Sequence, residues 1–190
     1  MAKLILASGS PRRKDLLTSI GFAPDAIIPP DIDETPKKGE KPLAYTKRLA
    51  KEKAEAIQKD HPNDVVIAAD TTVITRGKIL GKPEDAAEAR KFLKMLSGRQ
   101  HTVITGICVK YKDTLVLKTA QTKVKFSRIS PEELDFMIAS NEWVGKAGGY
   151  MIQGIVAAFV ISINGSVSNV IGLPLHIANN ALWSAGLRPK

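Results

Sequence analysis

Two serines and two arginines crowd into residues 8–13 of the stretch LASGSPRRKDLL, a grouping whose obvious chemistry is the grip of a phosphate. Leu4, Ile5 and Leu6 form a short apolar run that reads as a buried strand. Ser10 is a good N-cap and Pro11 suits the first helical position, so a helix is expected to start there. Arg12, Arg13 and Lys14 then lie beside the positive end of the helix dipole. Each such cation costs a few tenths of a kcal/mol unless an anion occupies the spot. Backbone N–H groups, the Ser8 and Ser10 hydroxyls and guanidinium forks together suit phosphate oxygens. The stretch is not a Walker A loop, because no Gly-Lys-Ser/Thr follows.

Other residues carry chemistry less plainly. Asp70 follows the apolar run 65–69 and precedes Thr71-Thr72. The carboxyl end of a strand is where ligands gather in α/β sheets, although an aspartate there can equally cap a turn. Asp31, Asp33 and Glu34 lie close together in DIDETP, and such carboxylates hold Mg²⁺ when a phosphate supplies the remaining ligands. Acidic surface loops without a role are also common. Lys51 and Lys53 fall on a helix where the ordinary lysine is solvated or paired with Glu52 or Glu55. Lys82 sits between Gly81 and Pro83, in a turn that fixes the backbone. Gly148 and Gly149 leave room for a ligand beside Lys146, and the Gln153 amide can read a base edge. His61, His101 and His176 show no metal-ligand spacing. Cys108, in an alternating strand, reads as a small core residue, and no Ser-His-Asp order can be assembled.

The elements that must position these groups follow from periodicity and breakers. A strand is expected at 26–28, a helix over 42–58, and a strand over 64–69 that ends at Asp70. Residues 71–80 read as a hairpin turning at Arg76-Gly77, followed by a helix over 85–96. Two long strands, 101–111 and 114–126, turn at Lys112-Asp113. Ser130-Pro131-Glu132-Glu133 is a capping box that opens a helix. Residues 157–163 read as a strand and Asn164-Gly165 as a hairpin turn. Gly172-Leu173-Pro174 opens a last helix that Gly186 ends. Alternating elements early and antiparallel ones later predict an α/β fold with a mixed sheet.

At 190 residues, 44% hydrophobic and 25% charged, the chain fits one globular domain. No apolar run reaches membrane-spanning length and no signal-peptide pattern opens the sequence. A single cysteine excludes an internal disulfide, which makes a reducing cytoplasm the expected setting. Twenty-eight basic against 19 acidic side chains give a net charge of +9. That suits either nucleic acid or a pocket for a small polyanion. The cations are scattered, aromatics are only 5%, and no basic stretch is interleaved with Tyr or Phe. No nucleic-acid or membrane partner is therefore expected.

Read in order, LASGSPRRKDLL, DETP, RLAKEKA, AADTTV with LGKP, LSGRQHTVITG, KAGGYMIQG and SNVIGLPL resemble the Maf family of nucleoside triphosphate pyrophosphatases. The resemblance covers about residues 4–175. It implies an elongated mixed sheet with flanking helices and two lobes around a deep cleft, similar to inosine-triphosphate pyrophosphatases. It also implies hydrolysis of the α–β phosphoanhydride of a nucleotide, with a divalent metal (Mg²⁺ or Mn²⁺). Matched by motif, Asp70 is the proton acceptor and a metal partner, and Glu34 is a second acidic group near the metal. Ser8, Arg13, Lys53 and Lys82 surround the phosphates. Arg12, Thr71 and Gln153 match positions tied to base choice and are those of the dTTP/UTP branch. A non-catalytic nucleotide-binding regulator of cell division is the alternative, and members of the family often form homodimers.

Overall fold

Among the described residues, 2–190, seven strands and six helices follow the breaks in the sequence. In chain order they are β1 (Leu4–Leu6), α1 (Pro11–Ser19), β2 (Ala26–Ile27), α2 (Pro42–Gln58), β3 (Val65–Thr75), β4 (Lys78–Leu80) and α3 (Ala86–Leu96). The computed structural model continues with β5 (Gln100–Tyr111), β6 (Thr114–Phe126), α4 (Pro131–Ala139), β7 (Val160–Asn164), α5 (Val167–Ile171) and α6 (Leu175–Ser184). The strands form one sheet in the order β2-β1-β3-β5-β6-β7, with β4 paired to β3. β1 runs parallel to both β2 and β3, whereas β3–β4 and β6–β7 are antiparallel. The sheet is thus mixed and flanked by helices, as the alternation of elements predicts.

The chain divides into two compact units, the first made of Met1–Asp70, Thr105–Ala120 and Gly172–Lys190, the second of Thr71–Ile104 and Gln121–Ile171. In the first unit β1 and the paired part of β3 are buried on both faces, which is why they read as unbroken apolar runs. Leu4 and Leu6 join Leu17 of α1 and Ala178, Ala181 and Leu182 of α6 in one cluster. Ile5 and Ala7 point the other way and pack with Ala50, Ala54 and Ile57 of α2. Each fully buried Leu or Ile contributes about 1.5–3 kcal/mol of transfer free energy. α2 approaches β5 unusually closely: a Cβ on Gly106 would lie 2.6 Å from the Thr46 carbonyl oxygen. Glycine is required there by the contact itself.

Three sequence-based expectations need correction. β3 does not stop at residue 69; Asp70 lies inside a strand that runs on to Thr75. Its parallel partner β1 ends at Leu6, paired with Ile67. Beyond that point the β-branched run Thr71-Thr72-Val73-Ile74 keeps the chain extended, and β4 supplies a new partner at Val73, Ile74 and Thr75. Residues 155–159 form a 3-10 turn, so the strand expected over 157–163 begins only at Val160. Glu142 Oε2 accepts from Ile155 N at 2.8 Å and Gly154 O from Ala157 N at 2.9 Å, so local bonds replace the ladder. Finally, Asn164-Gly165 is no hairpin turn: Ser166 Oγ accepts from Asn169 N at 3.4 Å at the start of α5, and a helix follows. The capping box at Ser130 and Glu133 is present with both of its bonds.

The core of the second unit holds an imidazole. His101 is 2% exposed and packs edge-on against Phe126 and Tyr150, with its Nε2 2.8 Å from the Tyr150 hydroxyl. Burial pulls the imidazole pKa down to about 4. Below its ordinary pKa of 6.5 the unfolded chain binds a proton that the folded chain refuses. Stability is therefore full above that value and is lost as pH falls towards the folded pKa, by about 3 kcal/mol in all. Urea unfolding across this window should show the loss, and His101→Gln should flatten it.

Candidate active site

The phosphate-like stretch folds as its composition suggests, with one difference in how it is held. Ser10 is extended and Pro11 opens α1, yet the Ser10 side chain makes no capping bond and no acid sits in the first turn. Ser8, at the end of β1 and 5% exposed, accepts from Arg13 Nη1 at 2.9 Å and from Ser10 N at 3.2 Å. Its acceptor positions are thereby used, and its proton is left to donate. Arg13 Nε donates to the Gly172 carbonyl at 2.8 Å, so the loop before α6 helps to aim the guanidinium. Burial lowers the Arg13 pKa, Asp70 and Glu34 act to raise it, and Arg12 lowers it further. Arg13 remains a cation throughout, because arginine does not deprotonate in proteins. Burial also lowers the half-buried Arg12.

Asp70, Lys53 and Glu34 meet in the same unit. Lys53 lies on the buried face of α2 with Thr46, Leu49, Ala50, Ala54 and Ile57, and only 9% of its side chain is exposed. Its Nζ donates to Asp70 Oδ1 at 2.7 Å and reaches Glu34 Oε1 at 2.8 Å. The Asp70 side chain is 10% exposed and that of Glu34 46%. One ammonium thus joins an enclosed carboxylate on β3 to an open one on the acidic loop. Lys51, by contrast, is solvated and pairs with Glu55 at 3.7 Å. The site therefore combines an enclosed carboxylate, a buried ammonium, a half-buried guanidinium and a serine proton. That set can neutralise a phosphate chain and take a proton beside it.

Two residues that sequence reasoning missed hold the acidic loop to α2. Tyr45 donates its hydroxyl to the Glu34 carbonyl at 3.0 Å. Burial first, then the charges of Asp70 and Glu34, raise its phenol pKa. Arg48 forms a two-pronged pair with Glu40 at 2.7 and 2.8 Å, a third bond to Glu52 at 2.9 Å, and a fourth to the Thr35 carbonyl at 3.2 Å. These bonds hold the Glu40 pKa down to about 2. The only sequence signal was the helical spacing of 45, 48 and 52, which puts all three on one stripe. Arg48→Ala should free the loop, so trypsin should cut after Lys37 or Lys38 about tenfold faster than in the parent chain. Unchanged cleavage would remove Arg48 from this role.

In the second unit, the glycine loop and the Lys82 turn come together. Gly148 N donates to the Gly81 carbonyl at 2.9 Å. Gly148 has φ +73, and a Cβ there would meet Val73 Cγ2 at 2.9 Å, so the loop seats directly on β3. Lys82 and Gln153 are exposed and Thr71 is half-buried. Asn169 of the SNVIGLPL motif is fully buried and ties β5 to β6 through bonds to Val103 O and Thr122 Oγ1 at 3.1 and 2.9 Å. Its part is structural. Cys108 is enclosed and burial raises its thiol to about 12, which fits a core residue.

The profile of the Maf-like protein family matches residues 3–185. A relative from Cereibacter sphaeroides, described as dTTP/UTP pyrophosphatase, is 51% identical over 97% of this chain and 95% of its own. One from Roseobacter denitrificans with the same description is 52% identical over 97% of each chain. A HAM1 protein of Coxiella burnetii superposes with a TM-score of 0.46 and 18% identity over 67% of this chain and 74% of that one, too slight a likeness to bear on the site.

Proposed function

The chain belongs to the Maf family, and on that premise we propose that it is a nucleoside triphosphate pyrophosphatase acting on dTTP and UTP. The observation that carries the reading is the convergence of Ser8, Arg13, Lys53, Glu34 and Asp70 in one unit. The family match from residue 3 to 185 supports treating the whole chain as one catalytic domain.

Arg13 and Lys53 neutralise the phosphate chain, and the Ser8 proton orients one of its oxygens. Asp70 Oδ1 keeps its bond to Lys53, so Oδ2 is the oxygen that takes the proton of the attacking water. As the water oxygen bonds to the α-phosphorus, the bond from that phosphorus to the bridging oxygen breaks and pyrophosphate leaves. By motif we assign Lys82 to the phosphates, and Arg12, Thr71 and Gln153 to the choice of base. Enclosed cations strengthen as charge develops on the leaving group, since little solvent reorganises around them.

Glu34 and Asp70 are hard oxygen donors that share one ammonium, which fits a divalent cation completed by phosphate oxygens. Among the described residues no three His, Cys, Asp or Glu side chains form an all-protein cage. Mg²⁺ bound through one or two carboxylates and the substrate needs none. When bound, Mg²⁺ or Mn²⁺ supplies charge neutralisation along the phosphate chain.

A panel of nucleoside triphosphates, assayed for pyrophosphate with Mg²⁺ or Mn²⁺, tests the reading. Pyrophosphate is expected from dTTP and UTP at rates well above those for purine nucleotides. Saturable nucleotide binding without pyrophosphate would favour a non-catalytic regulator instead. Among the described residues no helix is long and apolar enough to cross a membrane.

A further inference from the structure

Five cations that sequence reading finds scattered are gathered by the fold around one open cavity of about 440 Å³. Arg76 comes from the turn between β3 and β4, Arg90, Lys91 and Lys94 from α3, and Arg99 from the end of the α3–β5 connection; Met95 lies among them. Among the described residues the one ion pair made by these five is Arg90 with Asp135, whose side chain is 67% exposed. No carboxylate lines the cavity.

Such crowding is unfavourable in an isolated protein. Arg90 and Lys94 stand one helical turn apart, and so do Lys91 and Lys94, so each pair repels. The backbone does not let them drift away. Arg76 and Gly77, both with positive φ, hold the turn. Arg99 N donates to Leu96 O at 3.1 Å, and Arg99 O accepts from Phe126 N at 3.0 Å. On α3, Phe92, Leu93 and Leu96 are buried, which keeps the cationic face outward. Three rigid segments thus aim positive charge at a concavity of ligand size.

We propose that this cavity is a second anion site, built from residues other than the Ser8–Arg13 cluster, that binds a small polyphosphate. The chemistry it recognises is a short chain of phosphates, free or as the tail of a nucleotide. Its lining holds no aromatic side chain on which bases could stack, and its volume of about 440 Å³ suits a compact anion better than a long nucleic-acid backbone. Guanidinium forks from Arg76, Arg90 and Arg99 pair with phosphate oxygens two at a time, while Lys91 and Lys94 add point charge. The site is independent of catalysis at Asp70 and stands whether or not the chain turns over nucleotides.

Tripolyphosphate titrated into the full chain and followed by backbone amide resonances tests this. Saturable, salt-sensitive shifts are expected at residue 76 and across 87–99, while the resonances of 8–14 report the other cluster separately. The exposed double variant K91E/K94E should weaken the first set about tenfold or more and leave the second unchanged. A non-hydrolysable α,β-imido nucleotide binding there more tightly than tripolyphosphate assigns the source as a nucleotide. Equal binding assigns it as the phosphate chain alone. Absent shifts at 87–99, shifts that K91E/K94E does not weaken, or tighter binding of a short DNA duplex there would overturn the proposal.

Discussion

Asp70→Asn should leave a protein that folds and holds its nucleotide but barely cleaves it. The amide keeps an oxygen for the Lys53 ammonium, so the bond at 2.7 Å has a near-isosteric replacement. It offers no site for the proton of an attacking water. Positioned general bases contribute about 10²–10⁴-fold, and pyrophosphate release should fall by that much. The nucleotide Kd should move by less than about tenfold, because Arg13, Lys53 and Ser8 remain in place. The two measurements are separable: turnover by pyrophosphate detection, binding by calorimetry with a non-hydrolysable analogue. Parent-like turnover in this variant would remove Asp70 from the chemistry.

Lys53→Met should show its largest effect in stability. The lysine sits on the buried face of α2, and its loss leaves the enclosed Asp70 carboxylate without its cation. Removing one member of a buried pair costs about 3–5 kcal/mol, mostly through the charge left behind. The urea midpoint of Lys53→Met should drop accordingly. Adding Asp70→Asn to that variant should recover much of the loss, since the stranded charge is then gone. A single variant as stable as the parent would mean the pair is solvated in solution. Turnover should fall in both.

Most of the framework was legible because local signals agreed with one another. Pro11 and Pro42 open helices, Ser130 to Glu133 forms its box, and Arg76-Gly77 turns a hairpin, each from chemistry confined to a few residues. Failures came where a distant partner decided the outcome. Asp70 was expected at a strand end because the apolar run stops there, yet pairing with β4 carries β3 onward. Residues 155–159 have strand-like composition, but the Glu142 carboxylate holds the backbone in a turn.

The site shows the same division. Arg13 stands out by breaking the helix-dipole rule, and Ser8 by its place in the polar turn just before that helix. Lys53 carries a signal as well: it falls between Leu49 and Ile57, at the spacing of the apolar stripe, where a solvated lysine does not belong. Tyr45 and Arg48 could not be singled out, because their importance lies in contacts with Glu34, Thr35 and Glu40, across a loop with no periodicity.

The close approach of Gly106 to Thr46 makes an inventory of charged side chains an incomplete guide to whether a member of this lineage works. A single methyl there acts as a wedge under α2, lifting the helix and the ammonium it carries away from a carboxylate it must meet. Such a variant would keep every charged group and every phosphate-gripping side chain and still be inert.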